Sequence, residues 1–311
     1  GRILSRTRID MDVYHLPVLL EETIEALNIN PSGIYVDVTF GGGGHSRAIL
    51  EKLDENGRIY VLDQDLEAVQ NVSEDERMIF IHSNFRHLKR MLRVEGVTQV
   101  DGILADIGVS SHQFDKGERG FSFRFQGDLD MRMNQAQKLT AADVVMTYSE
   151  DELTDLFQNL GEVRNTKTLV KCICEGRLKM KIKTIEEFIH CIESVIKGNR
   201  AKYLAQVFQA LRIEVNDELT ALEEMLNDAY DILKENGTLA VISFHSLEDR
   251  IVKNFFKTGN VEGELEKDDY GNIYRPFTII TKKPIEASQA ELKINNRARS
   301  AKLRVARKSE E

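Results

Sequence analysis

The sequence is poor in cysteine and contains no hydrophobic run long enough to cross a lipid bilayer. Its 311 residues include only three cysteines, Cys172, Cys174 and Cys191. An odd, low count without a signal peptide is typical of a reducing compartment, so a cytoplasmic location is expected. A membrane-spanning helix needs roughly 18 consecutive apolar residues, and no stretch reaches that length.

A surplus of positive charge and the spacing of a zinc site are also absent. Lysine and arginine number 42 against 51 acidic residues, a net charge of −9, which argues against a general nucleic-acid coat protein. The net charge does not exclude a local basic groove, because phosphate contacts depend on how basic residues cluster and not on their total number. Cys172-x-Cys174 lacks zinc-knuckle spacing and a histidine-rich partner, so two helix cysteines are the simpler interpretation and no metal site is predicted.

What is present is an alternation of strands and helices. Apolar segments followed by helical patterns repeat as far as Asp106, which predicts a parallel, doubly wound α/β sheet. A first helix is predicted at 16–27. Strands are predicted from 34 and at 58–63, 78–82, 100–106, 237–244, 277–280 and 301–305.

The pattern changes in the middle of the chain. Residues 107–136 show no clean period, and a loop of this length inside a compact domain is usually functional or disordered. From 140 to 213 the periodicity is helical, with no strand signal. A discontinuous sheet domain is therefore predicted over residues 11–136 and 214–311, with a helical insertion of residues 137–213 that is expected to recognise substrate. Residues 1–10 precede Met11 and are expected to be an added leader.

The segment from Ile34 to Ser46 is a strand, a glycine cluster and a helix start, the unit that α/β proteins use to hold a nucleotide-like cofactor. The dinucleotide pattern G-x-G-x-x-G/A fails here, since the third position falls on Ser46 in one register and on Arg47 in the other. An acid such as Asp37 inside the opening strand is also unusual for nicotinamide enzymes. The combination is commoner in S-adenosylmethionine-dependent methyltransferases.

Two further acids and one aromatic residue complete the predicted cofactor crevice. Asp63 ends the second strand, where it accepts ribose hydroxyls or else caps the next helix, although Asp65 is better placed for capping. Asp106 ends the fourth strand and either faces the crevice or forms a turn. Phe85 follows the third strand, and stacking on an adenine and packing in the core are equally open for it.

Several separated motifs then resemble one family. They are Asp37-x-Thr39-Phe40-Gly41-x-Gly43-Gly44-His45-Ser46, Asp106-x-Gly108-Val109-Ser110-Ser111-x-Gln113, Glu118-Arg119-Gly120-Phe121-Ser122-Phe123, Asp130-Met131-Arg132-Met133, Phe208-Gln209-Ala210-Leu211-Arg212, Ser243-Phe244-His245-Ser246-Leu247-Glu248-Asp249-Arg250 and Asn296-Arg297-Ala298-Arg299-Ser300. From about His15 to Arg307 the chain resembles the bacterial ribosomal RNA small subunit methyltransferase H family.

The resemblance implies a class I (Rossmann-like) S-adenosylmethionine-dependent methyltransferase with an inserted all-helical domain. It implies methyl transfer to the exocyclic N4 of a cytidine in the decoding region of 16S rRNA within the small ribosomal subunit. No membrane partner is expected, and the protein is expected to be a monomer or a homodimer. The cofactor contacts carried over by motif are Gly43, Gly44, His45, Asp63, Phe85, Asp106 and Gln113.

The first catalytic candidate is Asp106, which acts directly, acts through Ser110 or Ser111, or serves only the cofactor. The second is His245, which either binds substrate or only ties its strand to the next helix. Many amino-group methyltransferases carry two prolines and an aromatic after the acid of the fourth strand, and this chain does not. A base-stacking ring would come from elsewhere. The candidates alternate with polar residues in one loop, which also fits a short half-buried strand: Phe121, Phe123 and Phe125.

An RNA substrate requires local positive charge, and two stretches offer it. One is Lys167, Lys171, Arg177, Lys179, Lys181 and Lys183, and the other is Arg297, Arg299, Lys302, Arg304, Arg307 and Lys308. Each fits an ordinary solvated face as well. The alternatives to rRNA methylation are a methyltransferase acting on a protein or small molecule, a non-catalytic ribosome-assembly factor, and a nicotinamide oxidoreductase.

Overall fold

The computed structural model of the protein describes residues 16–108, 123 and 126–311. This part of the chain divides after Gly108 and before Ala221 into two compact units. The first unit contains the β-sheet, and the second is helical. No helix among the described residues has both the length and the apolar character needed to cross a membrane.

The sheet unit has seven strands in the order β3-β2-β1-β4-β5-β7-β6. They are β1 Ile34–Asp37, β2 Arg58–Asp63, β3 Met78–His82, β4 Val100–Asp106, β5 Leu233–Ser243, β6 Phe277–Ile279 and β7 Lys302–Lys308. The prediction of a parallel sheet is confirmed for β1 to β5. The sequence made no prediction of the direction of β7, which enters between β5 and β6 and runs antiparallel to both.

Helices cover both faces of the sheet, because side chains that alternate along each strand are apolar on both sides. On β4, Ile103 packs in one buried cluster and its neighbour Leu104 in the other. The helices of this unit are α1 Leu20–Leu27, α2 Gly44–Lys52, α3 Leu88–Val94, α9 Glu218–Ile232, α10 Ser246–Thr258 and α11 Gln289–Ile294, with short 3₁₀ turns at Leu66–Asn71, Phe85–His87 and Asn296–Ser300.

The first helix is shorter than the predicted 16–27, because Leu19 has a left-handed backbone with φ of 52°. The extended segment before it is held by residues near the far end of the chain. The Leu19 amide donates to Glu291 at 3.1 Å, and the Asn295 side chain donates to the Leu16 carbonyl at 3.1 Å. Residues 16–19 are therefore fixed by α11 and the residue after it.

The helical unit contains α4 Ala141–Thr147, α5 Glu150–Asn159, α6 Thr166–Lys179, α7 Ile185–Ile192 and α8 Arg200–Asn216. Three of its helices start with reciprocal capping boxes, at Thr140, Ser149 and Thr184. The free cysteines lie on its helices, Cys172 and Cys174 on α6 and Cys191 on α7.

The helical unit is larger than the insertion of residues 137–213 predicted from the sequence. Leu129, Met131 and Met133 are buried in its core. Asn216 accepts from the Met133 amide and donates to the Met131 carbonyl, both at 2.9 Å. Residues without helical periodicity thus belong to this unit through burial and hydrogen bonds, which a periodicity search does not detect.

Candidate active site

The glycine turn joins β1 to α2 and needs glycine for two different reasons. Gly43 has φ of 80°, a conformation that disfavours a side chain, and a Cβ there would lie 2.8 Å from the Arg47 guanidinium. Gly44 is required by close approach, because a Cβ on it would lie 2.8 Å from the Pro17 ring. The segment before α1 therefore packs directly on the turn.

Asp37 at the end of β1 is almost fully buried, and its hydrogen bonds hold the two ends of this turn. Its carboxylate accepts from the Thr39 amide at 3.0 Å and from the Ser46 hydroxyl at 2.6 Å, and burial raises its pKa. The Thr39 hydroxyl oxygen in turn accepts from the Asp106 amide at 2.6 Å. The ends of β1 and β4 and the first turn of α2 are thus joined by one network.

Asp63 at the end of β2 holds the opposite side of the turn. One carboxylate oxygen accepts from the Gly41 amide and the other from the Asp65 amide, both at 2.8 Å. Burial raises the pKa of Asp63 to about 6. Each oxygen keeps a second lone pair, so hydroxyl donors of a ligand can still bind. The cap of the following 3₁₀ turn is Asp65, which accepts from the Glu67 amide.

Asp106 ends β4 with one carboxylate oxygen uncommitted. Its side chain is 17% exposed, and Oδ2 lies 3.8 Å from His45 Nδ1. The other oxygen, Oδ1, is buried and has no hydrogen-bond partner among the residues that the structure describes. A buried carboxylate oxygen without a donor is costly, so this position favours a ligand that brings one.

His45 and Phe85 both contact the protein itself. The His45 ring is buried, and its Nε2 lies 2.8 Å from the Val18 carbonyl oxygen. Its backbone amide, in the first turn of α2, is one of the four at a helix start that lack an intrahelical acceptor. The Phe85 ring packs partly against the sheet core, and part of it remains exposed.

His245 is the N-terminal cap of α10. Its Nδ1 accepts from the Glu248 amide at 3.4 Å, and its Nε2 lies 2.9 Å from Glu248 Oε1, a charge contact poorly aligned for a hydrogen bond. Glu248 is only 1% exposed and also accepts from the Phe244 amide at 2.9 Å. The geometry favours the alternative in which His245 ties its strand to the next helix.

Several predicted residues lie outside the described part of the chain, namely Ser110, Gln113, Phe121 and Phe125. Phe123 is described, and its ring packs edge-to-face on Phe208 at 5.8 Å, as the half-buried interpretation expects. Thr39, Val18 and Glu248 were missed from the sequence. Val18 acts through its carbonyl, which no side-chain pattern reveals. Thr39 and Glu248 belong to the motifs that begin at Asp37 and Ser243, so the sequence did contain a signal for them.

The two basic stretches differ. In the helical unit, five lysines are exposed, while Arg177 donates to the Val145 and Tyr148 carbonyls. In the C-terminal stretch, Arg304 is buried and paired bidentately with Asp249. Lys308 donates to the Tyr230 carbonyl and Arg297 lies 5.4 Å above the Phe244 ring. Much of the second stretch therefore serves the fold.

A sheet with β7 entering between β5 and β6, a glycine turn after β1 and acids at the ends of β1, β2 and β4 define a class I, Rossmann-like S-adenosylmethionine-dependent methyltransferase. Residues 12–309 match the MraW methylase family, and the chain belongs to that family. The family resemblance inferred from the motifs is thereby confirmed.

Curated relatives span nearly the whole chain. The sequence is 53% identical over 296 residues to ribosomal RNA small subunit methyltransferase H of Bacteroides thetaiotaomicron, covering 95% of this chain and 97% of that protein. It is 52% identical over 296 residues to the protein of the same name in Flavobacterium johnsoniae, covering 95% and 98%. The protein from Cytophaga hutchinsonii is 50% identical over 297 residues, covering 94% and 99%.

Proposed function

We propose that the protein transfers a methyl group from S-adenosylmethionine to the exocyclic N4 of a cytidine in the decoding region of 16S rRNA within the small ribosomal subunit. The observation that carries the proposal is the buried Oδ1 of Asp106 at the end of β4, which has no hydrogen-bond partner among the described residues. An exocyclic amine offers the N–H donor that this oxygen lacks. The names of the relatives support an rRNA substrate.

The described residues fit the cofactor. Asp63 has lone pairs left for ribose hydroxyls, and the amides of Gly44 and His45 lie in the first turn of α2, which no side chain of the described residues caps. Gly43 supplies the positive φ of the turn without a clash against Arg47, and the exposed part of the Phe85 ring can flank the adenine. Asp106 and Gln113 complete the proposed set.

When bound, S-adenosylmethionine supplies an electrophilic methyl group on a sulfonium centre. Cytosine N4 is a weak nucleophile, because its lone pair is delocalised into the ring. Asp106 Oδ1 accepts one N–H of the amine, which orients the amine and favours localisation of its lone pair. The nitrogen would gain the methyl group as the methyl–sulfur bond breaks and S-adenosylhomocysteine leaves. It would then be cationic and would lose one proton to Asp106 or to water. Ser110 is proposed to assist Asp106, and His245 to border the substrate while it caps α10.

The helical unit is proposed to bind the RNA. Its exposed lysines offer phosphate contacts, and the ion pair of Lys171 with Glu175 is itself solvent-exposed, whereas Arg304 and Lys308 are held by partners in the fold. A paired or stacked target base would be extruded at a cost of roughly a few kcal/mol. Phosphate contacts and base extrusion together would select one nucleotide in a structured region.

The test uses small ribosomal subunits from a strain that lacks the enzyme, incubated with tritiated S-adenosylmethionine and the protein. We expect label in 16S rRNA and, by mass mapping, one N4-methylated cytidine. Label in ribosomal protein, or methylation at another atom, would contradict the proposal. If the Asp106→Ala variant fully complements the strain that lacks the enzyme, the protein would instead be a non-catalytic assembly factor.

The Asp106→Asn variant tests the role of the carboxylate. We expect kcat to fall about a hundredfold or more, because an amide that presents its NH₂ to the amine no longer accepts from it. Asp75→Asn is the control, since Asp75 pairs with Arg77 on the loop before β3. An unchanged kcat in Asp106→Asn would remove this residue from the chemistry.

A further inference from the structure

His45 lies between two groups that fix both nitrogens of its ring. Nε2 is 2.8 Å from the Val18 carbonyl oxygen, and Nδ1 is 3.8 Å from Asp106 Oδ2. The ring is 6% exposed at its side chain, so it has little surface left for a ligand. Asp37, which is bonded to Thr39 and Ser46, is the other charged group that interacts with both His45 and Asp106.

The Val18 contact determines which ring nitrogen carries the proton of that hydrogen bond. A carbonyl oxygen only accepts, so the proton of this hydrogen bond is on Nε2. Nδ1 is then the nitrogen directed at the Asp106 carboxylate. A bare Nδ1 would place a lone pair against an anion, whereas a protonated Nδ1 makes an ion pair with it. At 3.8 Å the contact acts through charge rather than as a direct hydrogen bond.

We propose that His45 is a positioning residue that acts through Asp106: anchored at Val18, its ring holds Oδ2 of the carboxylate by charge and leaves Oδ1 for the target amine. The inference rests on the proposed function of Asp106. It gives the two parts of His45 different roles: the side chain positions Asp106, and only the backbone amide would contact the cofactor. The side chain should therefore affect turnover more than cofactor binding.

Two isosteric variants separate the two ring contacts. The amide nitrogen of glutamine reaches about the place of Nε2, so His45→Gln keeps a donor for Val18 and loses the group beside Asp106. The amide nitrogen of asparagine reaches about the place of Nδ1, so His45→Asn keeps a donor toward Asp106 and loses the Val18 anchor. We expect His45→Gln to fold normally with kcat lowered about tenfold, because its amide carries no charge. His45→Asn is neutral as well, so we expect the same fall in kcat together with a lower melting temperature from loss of the Val18 anchor.

Cofactor affinity distinguishes a positioning role from direct binding, because it would fall if the His45 side chain contacted the cofactor. Isothermal titration with S-adenosylhomocysteine should give dissociation constants within about twofold of the wild type for His45→Gln. In the Asp106→Asn background, His45→Gln should cost no further activity. A large loss of cofactor affinity, a wild-type kcat in His45→Gln, or additive losses in the double variant would each overturn the proposal.

A measurement without substrate keeps this inference apart from the function itself. In long-range ¹H–¹⁵N spectra of the free protein, Asp106→Asn should shift the Nδ1 resonance of His45 and leave that of the exposed His190 unchanged. An unmoved Nδ1 resonance would show that the two side chains do not interact, even if the rRNA is methylated. Absence of rRNA label with a shifted resonance would instead contradict the proposed function and retain the pair.

Discussion

At the scale of single residues, the carboxylates at the strand ends have different roles that their positions in the sequence do not reveal. Within the described part of the chain, Asp37 accepts from the Thr39 amide and the Ser46 hydroxyl, and Asp63 accepts from two backbone amides with lone pairs to spare. One oxygen of Asp106 has no donor among the same residues. Burial raises the pKa of Asp63 to about 6 from 3.8. The ligand-free fold therefore binds a proton there more tightly than the unfolded chain does. This contribution to stability is present below about pH 4 and is lost as the pH rises toward 6.

The same shift predicts the pH dependence of cofactor binding. Ribose hydroxyls need the ionised carboxylate as acceptor, so affinity should weaken as the pH falls below about 6, approaching tenfold per pH unit. Calorimetric titration of S-adenosylhomocysteine between pH 8 and about pH 5 checks this. Asp63→Asn should bind weakly at every pH, without the slope.

Asp75→Asn is the matched control, because Arg77 lowers the pKa of Asp75 to about 2 and it stays ionised over this range. The same slope in the wild type and in Asp63→Asn would mean that another group controls the pH dependence. In that case Asp63 would serve the glycine turn alone.

At the scale of elements, the sequence predicted strands β2, β3 and β4 to the residue, because each is a short apolar run bounded by polar residues. The start of β5 was placed at 237 rather than Leu233, since Lys234, Glu235 and Asn236 are exposed and polar within the strand. The direction of β7 could not be predicted, because no local pattern distinguishes antiparallel pairing in a covered sheet. In the candidate active site, the motifs and the strand ends identified the acids Asp37, Asp63 and Asp106. The contact of the Val18 carbonyl could not be predicted, because a backbone group leaves no pattern in the sequence.

The contact between Pro17 and Gly44 gives a prediction at this scale. Gly44→Ala would place a Cβ 2.8 Å from the proline ring, so we expect a loss of about 1–3 kcal/mol in the free energy of unfolding. Chemical denaturation measures it. Pro17→Ala in the same chain should restore most of the loss, because it removes the clashing ring. Losses that simply add in the double variant would show that the clash does not set the requirement for glycine.

At the scale of the whole molecule, the net charge of −9 coexists with a local group of exposed lysines in the helical unit. Replacing Lys179, Lys181 and Lys183 together by alanine should weaken RNA binding and lower the slope of log Kd against log salt by about 2. Filter binding of rRNA fragments over a salt series measures both, and cofactor affinity should not change.

The matched control replaces three exposed lysines of the sheet unit, Lys282, Lys283 and Lys293. It removes the same charge from elsewhere, so its salt slope should stay near that of the wild type. Equal losses in the two triple variants would mean that RNA binding follows total charge and does not depend on the helical unit.

The anchoring of residues 16–19 by Glu291 and Asn295 has a consequence for biosynthesis. The segment that packs on the glycine turn leaves the ribosome early, while the residues that fix it are made some 270 positions later. At about 5–20 residues per second, a nascent chain spends many seconds with its cofactor cradle unfinished. Methyl transfer should therefore begin only after Glu291 and Asn295 have been made, and chains that terminate before these residues should be inactive.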